Sequence, residues 1–311
     1  MAFEQIPKIE KFDFYIEVAF GKARKVQGTD SVTKNLQKIE IVRDAIVDQF
    51  QRIFRKYPNI DELDPFYYEL FMAHVPIEDA KKALAGLLWV VQKTKFFSKM
   101  YYSKIKRGNE RDANRTRREY YGRINSLVKQ VREELRFLEE TRGILKSFPV
   151  VKTGVPTLCI VGFPNAGKTT LLSQITGSQA EIAGYAFTTK GINVGFTPER
   201  IQLLDTPGTL NRIEKMNVIE HTAYIAMKHL AEALIYVFDP SGSAASFEDQ
   251  IKLLERAREY DLPTFIYASR RDLVDLPEEL KVFDILTYNE LKAMLLKDYA
   301  VPKKVKEKRE Y

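Results

Sequence analysis

The sequence predicts an all-α elongated helical bundle over residues 1–150, a doubly wound α/β domain with a mainly parallel sheet over 151–300, and a charged tail over 301–311. Two observations carry this reading. In the first half, apolar residues recur every three or four positions, the period of one helix face. Beyond "SFPVVKTGVP", short apolar runs alternate with helical ones, the pattern of strands joined by crossover helices. A chain of 311 residues is long enough to bury both cores.

In the first half, Asp30 or Ser31 caps a helix that runs to about Tyr57, where "YPNIDELDP" breaks it. Pro76 fits the first turn of a second helix, "PIEDAKKALAGLLWVVQKTKFFSKMYYSKIK". Gly108 and Asn109 supply a turn. A third helix is expected over 110–146, with Tyr121, Ile124, Val128, Val131, Leu135, Leu138 and Leu145 on one face. Two antiparallel helices of this length, about 45–55 Å each, make an elongated bundle. In the second half, "TLCIVG", "GINVGF", "IQLLD", "ALIYVFD", "PTFIYAS" and "KVFDILT" read as strands.

Composition is that of a globular protein, 45% hydrophobic and 29% charged. A single cysteine, Cys159, excludes an intramolecular disulfide and points to a reducing, cytoplasmic setting. Its apolar strand context makes it a small buried hydrophobe. The start "MAFEQIPKIEKFDFY" lacks signal-peptide character, and no apolar run reaches the roughly 18–20 residues of a membrane span. No membrane partner is expected. The net charge of +7 is uneven: residues 93–132 hold 13 Lys/Arg against 3 Asp/Glu. Merely solvated helices mix the two signs, so this excess points to a polyanion. Phe96, Phe97, Tyr101, Tyr102, Tyr120 and Tyr121 are interleaved with the charges, and any left exposed can stack on unpaired bases.

Gly162, Gly167, Lys168 and Thr169 satisfy G-x-x-x-x-G-K-[ST] between an expected strand and an expected helix. Such a loop wraps phosphates with backbone amides from about Asn165, Ala166 and Gly167 through Lys168, Thr169 and Thr170. Lys168 is expected on the β- and γ-phosphates and the Thr169 hydroxyl on Mg²⁺. Downstream, "YAFTTKG" offers Thr188 and Thr189. Thr189 is taken as the residue that reaches Mg²⁺ and senses the γ-phosphate. In "LLDTPG", Asp205 is expected to hold a water on Mg²⁺ and the Gly208 amide to contact the γ-phosphate. Thr169, Thr189 and Asp205 are thus the metal set, and Lys168, Thr189 and Gly208 the catalytic set. Thr209 follows Gly208 where a water-orienting Gln stands in Ras-like enzymes, so slow hydrolysis is expected. Asn165 has two open roles, helping to hold K⁺ beside the phosphates or tying the loop to neighbouring backbone. Arg212 is read as a solvated residue rather than an arginine finger.

Guanine is normally read by N-K-x-D after the fifth strand. Here the register gives Ser269, Arg270, Arg271 and Asp272. Asp272 can accept from guanine N1–H and the 2-amino group, which adenine does not offer. Ser269 is expected to lose the contacts of an Asn, and Arg270 to lay its stem or guanidinium over the base. The third base-reading position is at best "LTYN", with Thr287 in place of Ser.

Together "GFPNAGKTT", "YAFTTKG", "DTPGTL" and "RIEKMNVIEHTAYIAMKHL" resemble the Nog subfamily of Obg–HflX GTPases, in its archaeal-type short form. "DELDPFYYELF" and "LEETRGILKSFPVV" resemble the helical domain that precedes the GTPase in that family. The resemblance implies a P-loop GTPase with GTP or GDP as ligand and Mg²⁺ as cofactor. It also implies ribosomal RNA and the large-subunit precursor as partners, with assembly-factor proteins open and a monomer when free. Ser269-Arg270 departs from the family's Asn-Lys. Two alternatives therefore stay open: an ATP-binding P-loop protein, and an RNA-binding assembly factor with a vestigial nucleotide site.

Overall fold

A computed structural model describes residues 3–27, 30–177, 192–206 and 218–301. They group into two compact units, residues 1–63 with 71–146, and residues 64–70 with 147–311.

The first unit is all helix: α1 (Phe12–Arg24), α2 (Ser31–Lys56), α4 (Ile77–Arg107), α5 (Glu110–Gln130) and α6 (Arg132–Lys146), with α3 (Pro65–His74) crossing the division between units. Asp30 caps α2 by accepting from the amides of Val32 and Thr33. Ile39, Val42, Ile46, Phe50 and Ile53 of α2 are buried and lie against α1, α4 and α5. The fully buried Tyr120 places its hydroxyl 2.8 Å from Ser98 Oγ, so the one polar atom on that ring is satisfied within the core. α4 and α5 form an antiparallel hairpin about Gly108 and Asn109, and the Asn109 side chain accepts from the Asp112 amide.

The single helix expected over 110–146 is divided at Val131, which has φ −101° and ψ 24°. The apolar positions repeat every 3.5 residues on average, whereas a straight helix turns every 3.6, so the face drifts about 20° per heptad. The interruption lets the two halves be aimed separately. Val131 itself is buried, close to where Gly86 brings α4 near.

The second unit holds β1 (Thr157–Val161), α7 (Lys168–Thr176), β2 (Asn193–Phe196), β3 (Gln202–Asp205), α8 (Val218–Leu230), β4 (Ala233–Phe238), α9 (Phe247–Arg258), β5 (Thr264–Ala268), β6 (Ile285–Leu286) and α10 (Tyr288–Tyr299). The strand order is β2-β3-β1-β4-β5-β6. Only β2 runs antiparallel, against β3. β1 and β4 are buried along their whole length, as parallel strands covered on both faces must be.

Residues 64–70 group with this second unit. Specific bonds hold them there. The Tyr67 hydroxyl donates to the Pro149 carbonyl oxygen at 3.0 Å and accepts from the Val151 amide at 3.1 Å. Glu69 pairs with Lys228 at 2.7 Å and with His229 on α8. Lys228 is the largest cause of the lowered pKa of Glu69.

Candidate nucleotide site

The phosphate loop leaves the end of β1 and enters α7. Gly162 sits at φ +153°, and a Cβ there would lie 2.6 Å from the Val237 carbonyl oxygen of β4. Gly167 sits at φ +97°, and a Cβ there would lie 2.9 Å from Ser269 Cβ. Both positions therefore require glycine, one for the close approach to β4 and one for the approach to the segment after β5. Asn165 is exposed at φ 65° and Ala166 is fully buried. Lys168 is 7% exposed, and its Nζ donates to the Phe163 carbonyl oxygen of the same loop at 2.8 Å. Burial lowers its pKa, and Asp205 partly offsets that shift.

Asp205 ends β3 beside the loop. It accepts from Thr169 Oγ1 at 2.5 Å and from Asn193 Nδ2 at 3.0 Å. Asn193 was not singled out from the sequence. The signal lay in the register: the β2–β3 hairpin pairs Phe196 with Gln202, and counting outward sets Asn193 opposite Asp205. Thr169 and Asp205 are hard oxygen donors at the N-terminus of α7. That set suits Mg²⁺ bound jointly by protein and phosphate oxygens. No cluster of three His, Cys, Asp or Glu that could hold a metal is found among the described residues.

A cleft of about 1040 Å³ runs from this loop to the base-reading segment. Its walls include Asn165, Lys168, Thr169, Thr170, Ser269, Arg270 and Asp272. Ser269 is 6% exposed and packs against Gly167, but its Oγ has no hydrogen-bond partner among the described residues.

The Arg270 guanidinium ties the segment after β5 to its neighbours: it donates to the Asn165 carbonyl oxygen at 3.0 Å and to Ser243 Oγ at 2.9 Å. It also lies 3.4 Å from Asp239 Oδ1. Asp239, at the end of β4, is the reason. Its carboxylate is fully buried and accepts from Ser241, Ser243 and the Ala244 amide. Burial pushes its pKa up, but these hydrogen bonds outweigh burial and hold it below the usual carboxylate range. A buried carboxylate draws the nearest cation, and the forked guanidinium can serve it and the phosphate loop together. Arg270 does so from φ 52°, a region non-glycine residues seldom occupy. Sequence reasoning passed over Asp239, although an Asp that ends an apolar strand before "PSGS" signals a side-chain-bonded turn.

Thr287 borders the cleft, but its hydroxyl is engaged as the N-cap of α10 in a capping box with Glu290. Asp272 is exposed at the cleft wall. Thr188, Thr189, Gly208, Thr209 and Arg212 lie outside the described residues. Cys159 is fully buried, and burial pushes its thiol pKa up to about 12, as an inert core residue requires.

Fold and loop together define a P-loop GTPase domain that follows an all-helical domain. Comparison with known families matches residues 3–152 to "NOG1 N-terminal helical domain" and residues 157–270 to "50S ribosome-binding GTPase". An uncharacterised protein of Methanocaldococcus jannaschii is 35% identical over 242 residues, which is 76% of this chain and 69% of that protein. Nucleolar GTP-binding protein 1 of Drosophila melanogaster is 31% identical over 78% of this chain and 39% of its own length. The Saccharomyces cerevisiae protein of that name is 29% identical over the same shares. The chain belongs to the Nog family of nucleolar GTP-binding proteins, and it spans about two fifths of the length of these two eukaryotic relatives. No helix among the described residues is long and apolar enough to cross a membrane.

Proposed function

We propose that this protein binds GTP and GDP in the cleft, hydrolyses GTP slowly, and acts as a switch in assembly of the large ribosomal subunit, docking on ribosomal RNA through its helical unit. The observation that carries the nucleotide reading is the cleft itself. Its walls join Lys168 and Thr169 to Asp272 in one continuous space. A phosphate-binding loop alone fits any nucleotide, whereas an acidic acceptor among the base-facing residues favours guanine. The ribosomal reading is supported by the names of the relatives and by the matched family description.

In this proposal, Lys168 exchanges its loop carbonyl for the β- and γ-phosphates, and their negative charge reverses the effect of burial on its pKa. Thr169 and Asp205 would hold Mg²⁺, which would neutralise charge on the phosphate oxygens. Loss of the γ-phosphate frees whatever contacts Thr189 and Gly208 make to it, the order-to-disorder device of GTPase switches. With Thr209 following Gly208, no Gln orients the water. Asn165 then matters. Hydrolysis is expected to run several-fold faster in KCl than in NaCl at equal ionic strength, with Asn165→Ala removing the difference. A phosphate-release assay in the two salts checks this. Equal rates would leave Asn165 with only a loop-shaping role.

The basic segment converges where α4 meets α5. Lys95, Lys99, Lys104, Lys106, Arg107, Arg111, Arg115, Arg118 and Arg123 are exposed. Lys104 and Arg115 both pair with Glu119, at 2.8 and 3.3 Å. Arg117 is half-buried over the Tyr121 ring. Charge reversal is therefore best placed at Lys106, Arg111 and Arg118. Changing these three to Glu is expected to weaken ribosomal-RNA and large-subunit binding without changing GTP affinity. Each lost phosphate contact should lower the log–log salt slope by about 0.7–0.9. Filter binding across a salt series measures it, and an unchanged slope would place the RNA surface elsewhere.

A further inference from the structure

The exposed face of α4 carries an apolar stripe that the net charge of the segment conceals. Trp89 is 36% exposed, Phe96 59% and Met100 44%. At 100° per residue these three lie within about 40° of one another around the helix, spread over about 16 Å of its length. Scattered exposed hydrophobics are ordinary; three on one helix face are not. Lys93 and Lys99 flank the stripe, and Lys93 Nζ lies 5.9 Å from the centre of the Phe96 ring. From position 80 to the end of α4 the helix carries no acidic residue. Four of the other aromatics of the basic segment are engaged. Tyr101 and Tyr120 are buried in the core, Tyr121 stacks on Phe20 with ring centres 4.3 Å apart, and Phe97 lies under Arg123.

We infer that Trp89, Phe96 and Met100 form a stacking platform for an unpaired stretch of RNA whose phosphates meet the flanking lysines. The inference rests on the RNA reading of the basic segment and gives that surface its ligand class. Charge complementarity names the occupant. Aromatic rings offer faces to bases, which any base sequence can use, while lysines spaced along the same helix track the backbone. Duplex RNA hides its base faces and would meet only the lysines. A partner helix would dock in an apolar groove, whereas this stripe runs along a single helix surface with lysines beside it.

Trp89 is the only tryptophan in the chain, so its emission reports stacking directly. The full chain is titrated at low salt with a single-stranded oligouridylate and with duplex RNA of equal length. The single strand is expected to quench Trp89 and the duplex to leave it nearly unchanged. Phe96→Ala should weaken single-strand binding about five- to 150-fold and spare the duplex, with Phe96→Tyr restoring affinity. Circular dichroism of each variant confirms the fold. Unchanged single-strand affinity in Phe96→Ala, or equal quenching by the duplex, overturns the platform. If both RNAs bind without quenching, RNA docking stands and stacking falls. If neither RNA binds, both fall. Quenching by polyglutamate alone would assign the stripe to an acidic protein and overturn the inference.

Discussion

Lys168→Ala is expected to weaken GTP and GDP binding by at least about 100-fold while leaving the helical unit folded. Lys168 is the loop's own cation, 7% exposed, and already held on the Phe163 carbonyl oxygen at 2.8 Å. A charge-assisted hydrogen bond contributes about 1.5–3 kcal/mol. Two of them, to the β- and γ-phosphates, exceed the 2.7 kcal/mol that corresponds to 100-fold. The alanine variant also removes the Lys168 bond to the Phe163 carbonyl oxygen, which keeps the Ala166 amide as a donor at 3.1 Å, so only a small loss of stability should accompany the loss of binding. Isothermal titration with GDP and a non-hydrolysable GTP analogue measures the affinity, and a thermal melt separates the two effects. Affinity within a few-fold of the parent would show that the phosphates do not sit at this loop.

Asp272→Ala is expected to reduce GTP affinity by about 100-fold or more and to change ATP affinity little. Two guanine donors, N1–H and the 2-amino group, would converge on one carboxylate, and bonds to a charged acceptor are the strong ones. Ser269 and Arg270 cannot take over. Ser269 carries one short hydroxyl, and the Arg270 guanidinium is committed to Asn165 and Ser243. Because Arg270 tethers the phosphate loop, Arg270→Ala should weaken all nucleotides alike, which distinguishes a positioning residue from a base reader. An Asp272→Ala variant that loses GTP and ATP equally would assign Asp272 to the cleft's shape rather than to base recognition.

Much of this was legible in the sequence because the dominant signals are local. A glycine-rich loop between an apolar strand and a helix states its own geometry, and the heptad spacing of the later helices states their buried face. Other features depend on partners distant in sequence. α1 carries Gly21 in its interior and lacks a side-chain cap, both of which argue against a helix locally. Its burial of Ile16, Ala19 and Ala23 in the bundle decides otherwise. α3 begins with a proline and has apolar residues on all sides, so no face stands out. Its first turns answer to Pro149, Val151 and α8. Arg270 was read from its position in a motif, but its partners on Asp239 and Asn165 lie 31 and 105 residues away.

The central claim is that this cleft selects guanine nucleotides although the base-reading motif has lost its Asn and Lys. A competition titration of GTP against ATP for the parent protein, displacing a fluorescent GDP derivative, tests it most directly. In the proposed reading, Asp272 alone among the base-reading residues would distinguish the two purines. GTP should therefore displace the probe at concentrations at least about 100-fold lower than ATP, a difference of about 2.7 kcal/mol. Equal displacement by the two nucleotides would contradict the claim and make this a P-loop protein that reads phosphates but not the base.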